Sequence, residues 1–175
     1  MNYFPKTNSW VIPEAALKRS KDEMAVDGEQ GNEGTCLWLG IKENNVAKLT
    51  HVVLLRGDGV RKGPANVEIS PELMREVHEK ARALHVILIG QIHSHGQYYG
   101  VDLSLTDHRY GVQVPYFLSI VYPDYAQTES TTIIDCGVHI FLPRQGYVRL
   151  SEEDIADRIL ITAAAEVEIL TVGKP

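Results

Sequence analysis

Val86-Ile87-Leu88-Ile89-Gly90-Gln91-Ile92-His93-Ser94-His95 decides how this chain is read. From Val86 to Ile92 the run is nearly all apolar, which reads as a central strand buried on both faces. It ends on two histidines spaced by one residue. On a strand, side chains at i and i+2 leave the same face, so the two imidazoles can converge on one ion while Ser94 points the other way. The same spacing also suits two histidines satisfied within a core.

Upstream, Ser70 to Leu84 is the clearest helix. Ser70 can cap it, Pro71 opens it, and Leu73, Val77, Ala81 and Leu84 recur at helical spacing along one face. Further back, Thr35 to Ile41 reads as an apolar strand, Asn44-Asn45 as a turn, and Val46 to Arg56 as its hairpin partner. Gly57, Asp58, Gly59, Gly63 and Pro64 mark a long loop. A first helix follows Ile12-Pro13, with Ala16, Leu17 and Met24 on one face, and should end before Asp27-Gly28. Downstream, Tyr116 to Tyr122 and Thr131 to Leu142 read as strands separated by Pro123-Asp124. Ser151 and Asp154 resemble a capping box that opens a last helix running to about Ala164, and Val167 to Val172 is a short strand or an ordered tail.

The chain has 175 residues, 44% of them hydrophobic, and a net charge of -6. That length buries one sizeable core and is short for two ordinary domains, and no repeat or composition break divides it, so a single domain over 1–175 is expected. Interleaved helices and strands make the class α/β or α+β. A nucleic-acid partner is disfavoured, because phosphate binding needs a basic stripe. No apolar run approaches the roughly 20 residues of a membrane span. Met1 to Pro13 lacks the pattern of a secretory signal, and Cys36 and Cys136 show no paired spacing, so the expected location is cytoplasmic. Neither cysteine has a basic neighbour in sequence to activate it, which favours small core residues over nucleophiles.

The histidine pair gains meaning from Ser104-Leu105-Thr106-Asp107, which follows a turn-rich loop containing Gly96 and Gly100. Asp107 falls where a helix should begin and can return over the strand end as a third ligand. Two histidines and one carboxylate leave the fourth zinc position open, the arrangement of a catalytic site. Zinc there lowers the pKa of water from 15.7 toward about 7. A proton acceptor that is not a ligand is still needed, and Glu33 and Glu29 both precede the Thr35 strand. Asp102 and His108 are rivals for the metal. Tyr98 and Tyr99 either contact substrate or close the loop.

Glu33, then His93-Ser94-His95, then Ser104-Leu105-Thr106-Asp107, together resemble the JAMM motif of the MPN-domain metalloproteases. The register of Glu33-Gly34-Thr35-Cys36-Leu37-Trp38-Leu39-Gly40 matches the family's Glu-to-Gly strand and selects Glu33 over Glu29. The likeness in order of elements extends from the first helix to about Leu142. Two features depart from the family: the gap between His95 and Ser104 is one residue longer than usual, which a loop absorbs easily, and Cys36 stands where many members carry glycine. The resemblance implies an MPN-like, cytidine-deaminase-like mixed sheet flanked by helices. It also implies one Zn2+ per chain on His93, His95 and Asp107, Glu33 as general acid/base, and Ser104 as hydrogen-bond donor to the tetrahedral oxyanion. The activity implied is hydrolysis of the amide or isopeptide bond after the C-terminal tail of a ubiquitin-like protein, as in a stand-alone prokaryotic enzyme. C-terminal processing of a sulfur-carrier protein, or a non-catalytic MPN scaffold, are the alternatives.

Overall fold

The computed structural model describes residues 6–128, 132–163 and 166–174. The chain opens with β1 (Ser9–Pro13), α1 (Glu14–Gly28), β2 (Thr35–Glu43) and β3 (Val46–Leu55). A small hairpin of β4 (Val60–Gly63) and β5 (Asn66–Ile69) leads to α2 (Pro71–Ala83) and β6 (Ile87–Ser94). Then come α3 (Leu105–Tyr110), β7 (Leu118–Tyr122), β8 (Gly137–Leu142) and β9 (Gly146–Arg149). The last elements are α4 (Glu152–Arg158), β10 (Ile159–Thr162) and β11 (Glu168–Val172).

The expected central strand is β6. It pairs antiparallel with β2 and parallel with β7, inside a curled mixed sheet of order β10-β1-β3-β2-β6-β7-β8-β9, with β11 also on β3. Register shifts at Leu39/Gly40 against β3 and at Trp38/Leu39 against β6 bend β2, as bulges do. The β2–β3 hairpin closes through Asn44 and Asn45, both at positive φ (48° and 67°), the conformation a two-residue hairpin turn demands. Together with the four helices seen among the described residues, this is one α/β domain. No helix among those residues is long and apolar enough to cross a membrane.

Alternation along the central strands divides the interior into layers. Cys36, Trp38, Ile92, Ile120 and Val138 face α1 and its Met24. Leu37, Leu39, Val53 and Leu55 face α2, where Leu73, Val77 and Ala81 fill the gap. The Trp38 indole donates to the Ser20 hydroxyl of α1 at 3.0 Å, so the one polar atom of a fully buried ring is satisfied.

Several expectations are corrected. The long loop after Arg56 contains the β4–β5 hairpin, whose four-residue strands are too short to stand out among the turn formers around them. Residues Ser9 to Pro13 form a strand that pairs with β3 and β10. α1 runs through Gly28 instead of stopping before Asp27. The last helix stops at Arg158, because Ile159 to Thr162 pair with β1 and sheet pairing overrides the helical pattern. Its expected end, Ala164, lies outside the described residues, as does Thr131. The strand expected from Thr131 starts at Gly137, after a 3-10 turn at Ile133–Asp135, and the one expected from Tyr116 starts at Leu118. Leu84 caps the C-terminus of α2 and is 44% exposed, since the helix ends before that residue can turn inward.

This last correction is measurable. Leu73→Ala should cost about 2–5 kcal/mol in urea unfolding, the range for emptying a buried leucine site. Leu84→Ala should change stability by less than about 0.5 kcal/mol. Equal losses would put Leu84 back in the core.

Candidate metal centre

The end of β6 carries the site. His93 and His95 leave one face of the strand and are both buried, while Ser94 turns to the α1 side. There Ser94 meets Gly34 twice: its hydroxyl accepts the Gly34 N–H at 2.9 Å, and its own N–H donates to the Gly34 carbonyl at 3.0 Å. These bonds fasten the start of β2 to the end of β6 and so bring Glu33 beside the histidines. Gly34 must lack a side chain, because a Cβ there would lie 2.6 Å from the Met24 backbone of α1. The His95 N–H continues the ladder by donating to the Tyr122 carbonyl at 2.9 Å.

The third donor comes from α3. Ser104 and Asp107 form a reciprocal capping box: the Asp107 N–H donates to the Ser104 hydroxyl at 3.1 Å, and Asp107 Oδ2 accepts the Ser104 N–H at 2.8 Å and O–H at 2.7 Å. The helix start thereby aims the carboxylate at the strand end. His93 Nε2 and His95 Nε2 are 3.2 Å apart, His95 Nε2 lies 3.3 Å from Asp107 Oδ2, and His93 Nε2 lies 3.6 Å from Oδ1. Donors arranged tetrahedrally about one ion at roughly 2.0–2.1 Å sit about 3.3–3.4 Å from one another. The edges through His95 lie close to that figure, while His93 approaches the other Asp107 oxygen at the longer distance, and the three residues form a set able to hold a metal ion.

Hydrogen bonding prepares the donors. His95 Nδ1 faces the Gly100 carbonyl at 3.1 Å, so in the neutral ring the proton sits on Nδ1 and the Nε2 lone pair faces the centre. His93 Nδ1 has no partner among the described residues. Burial alone would raise the Asp107 carboxyl, but hydrogen bonds from His93, His95 and Ser104 hold it well below the usual carboxylate range. Burial would lower His95, yet its bond to Asp107 and the charges of Glu33 and Asp107 raise it.

Glu33 is 5% exposed and, with His93 and Asp107, lines a cleft of about 160 Å³. Val67, Ile69, Met74 and Val112 supply its apolar walls. Burial pushes the Glu33 carboxyl up to about 7; the nearby His95 and a hydrogen bond from the Gly96 amide act against that rise, and Asp107 adds to it. Its own N–H is held by the Gly63 carbonyl at 2.8 Å.

The other candidates separate clearly. Glu29 is exposed at the end of α1. Asp102 turns away to Arg149, and His108 is exposed with its ring edge-on to Tyr147. Tyr98 and Tyr99 are exposed on the loop after His95. Both cysteines are buried, and burial pushes each thiol up to about 12, so neither is a nucleophile. Two partners were missed from the sequence, Ser94 on the reverse of the strand and the Gly100 carbonyl. The positive φ of Gly100 (66°) matches the turn its glycine suggested, but a backbone acceptor leaves no sequence signature.

No protein-family model and no curated protein matches the chain. Among solved structures it is similar to the solution structure of protein DSY2949 from Desulfitobacterium hafniense, with a TM-score of 0.64 and 13% identity over 90% of this chain and 95% of that one. At that identity the likeness concerns the fold alone.

Two measurements follow from the geometry. Purified protein should take up about one zinc per chain, and His95→Ala should abolish uptake, because two donors cannot hold the ion. Undiminished zinc in that variant would break the ligand set. The second concerns the metal-free protein. With the Glu33 pKa at about 7 when folded against 4.5 ordinarily, the folded state binds more protons than the unfolded between those values. Stability then falls as pH rises through that window. Glu33→Gln should therefore melt higher than the parent at pH 8, with the gap closing below pH 4.5. A gap independent of pH would mean that Glu33 is not held in a desolvated place.

Proposed function

We propose that this chain is a zinc-dependent hydrolase of the JAMM/MPN type, cutting the amide or isopeptide bond after the C-terminal tail of a ubiquitin-like protein. One observation carries the reading: Glu33, a buried carboxylate outside the ligand set, shares a cleft with His93 and Asp107. A structural metal site would need four protein donors and no base beside it. The curled mixed sheet with helices on both faces is compatible with an MPN-like fold. The substrate class rests on the motif of Glu33, His93-Ser94-His95 and Ser104 to Asp107.

Zinc held by His93, His95 and Asp107 would supply a Lewis acid that makes a bound water far more acidic. Glu33 takes the proton of the attacking water, holds it, and returns it to the departing amine. Asp107 and the two histidines keep the donor triangle fixed, with His95 oriented by Gly100. The Ser104 hydroxyl is the donor for the oxyanion. In the present state it points to Asp107 Oδ2, and on turning toward substrate it leaves that oxygen the Ser104 N–H at 2.8 Å. One serine can thus serve ligand and oxyanion in turn.

The test separates base from ligand. Glu33→Gln should retain zinc and fold while turnover drops by about 10²- to 10⁴-fold, the range for a lost general base. Glu29→Gln should behave as the parent. Substrates are linear fusions and lysine conjugates of ubiquitin-like proteins, with sulfur-carrier fusions alongside, each with and without chelator. A zinc-loaded parent that cuts none of them would sink the hydrolase reading.

A further inference from the structure

The chain just after β7 adopts a costly conformation. Asp124, Tyr125 and Ala126 all have positive φ (52°, 53° and 60°), three successive non-glycine residues in the left-handed region. Such a turn persists only where its surroundings over-determine it, and here five contacts do so. The Tyr125 N–H donates to the His95 carbonyl at 2.7 Å. Its hydroxyl donates to the Pro64 carbonyl at 2.8 Å, in the turn of the β4–β5 hairpin. Its ring covers Gly96, where a Cβ would lie 2.6 Å from the hydroxyl oxygen. Behind it, the Gln127 amide donates to the Ala25 carbonyl at 2.8 Å, and Gly28 admits the Tyr125 carbonyl against α1.

Two of the places that Tyr125 touches, Gly96 and the turn at Pro64, lead directly to Glu33. Gly96 supplies the amide that hydrogen-bonds the Glu33 carboxylate. Gly63, next to Pro64, supplies the carbonyl that holds the Glu33 N–H. His95, whose carbonyl holds the Tyr125 N–H, is the candidate ligand whose charge acts on the Glu33 carboxyl. We propose that Tyr125 is the positioning residue of the site, a clamp that fixes Glu33 at a set place relative to His95 by tying the Gly96 turn to the β4–β5 hairpin. The strained turn exists to deliver that side chain. The base role of Glu33 belongs to the hydrolase reading above, on which this inference rests; the mechanical link itself can be measured without metal or substrate.

Tyr125→Phe keeps the ring over Gly96 and removes only the bond to Pro64. In hydrogen exchange on the metal-free protein, the Glu33 amide and the β5 amides should exchange about fivefold faster, the local-opening equivalent of one neutral hydrogen bond, with β6 unchanged. Gly96→Ala pushes the ring away from the other side and should loosen the same amides. Combined with Tyr125→Ala it should do no more than Tyr125→Ala alone, since both act through one contact. In the zinc-loaded protein Tyr125→Phe should retain the ion and lose about tenfold in kcat with KM unmoved, as expected for a misplaced base. Unchanged exchange at Glu33, or additive effects in the double variant, would overturn the clamp even if the parent holds zinc and cuts its substrate. A parent that holds no zinc would instead overturn the hydrolase reading and leave the exchange result to stand or fall alone.

Discussion

The paired hydrogen bonds between Gly34 and Ser94 are the constraint on which the candidate site depends. They join strand ends 60 residues apart in the chain, at distances of 2.9 and 3.0 Å, on the face away from the metal donors. Because side chains alternate along β6, tying Ser94 to β2 on one face obliges His93 and His95 to share the other. The same tie puts Glu33, one residue before Gly34, at the wall of the cleft. It works only because α1 can lie directly on Gly34, which a side chain would prevent.

Two carboxylates that both feel His95 are driven in opposite directions. Asp107 is surrounded by donors, from His93, His95 and both polar groups of Ser104, and stays ionised as a ligand should. Glu33 has only the Gly96 amide and the charge of His95 to favour its ionised form, so burial wins and its carboxyl rises to about 7. Pairs of acids whose environments push them apart are how one site assigns a charge holder and a proton carrier. Neither environment is local. Asp107 depends on α3 docking over β6, and Glu33 on the β4–β5 hairpin closing above β2.

Rigidity around the site comes from short elements held at many points. α3 has six residues and none buried, yet its capping box locks the ligand. Leu103, just before it, anchors the segment among Phe117, Val121 and Tyr147. The turn at Tyr125 is held in a left-handed form by partners from β6, the β4–β5 hairpin and α1. Strain stored in a turn beside a site, and offset by contacts to it, is the usual sign that geometry matters there.

The sequence alone determined those features whose physics is local. An apolar run ending in alternating histidines specifies a central strand, although its first residue Ile87 is exposed, and one shared face for the imidazoles. Ser104 and Asp107, three apart, specify a helix start that presents a carboxylate. Ser70-Pro71 specifies α2, and Asn44-Asn45 specifies the hairpin turn. Only the tertiary structure decided what depends on residues far apart meeting. The burial of Glu33 is one such case: the motif register singled it out over Glu29, but only the tie of Gly34 to Ser94 makes the two, four positions apart, opposite in exposure. The pairing of β1 and β11 with β3, and of β10 with β1, is another: sheet partners are selected by the fold, so a run such as Ile159 to Thr162 can read as helix until its neighbour is present. The backbone acceptor at Gly100 and the clamp at Tyr125 are the last, since a carbonyl direction or a left-handed tyrosine is set by what surrounds the chain and leaves no pattern in the residues themselves.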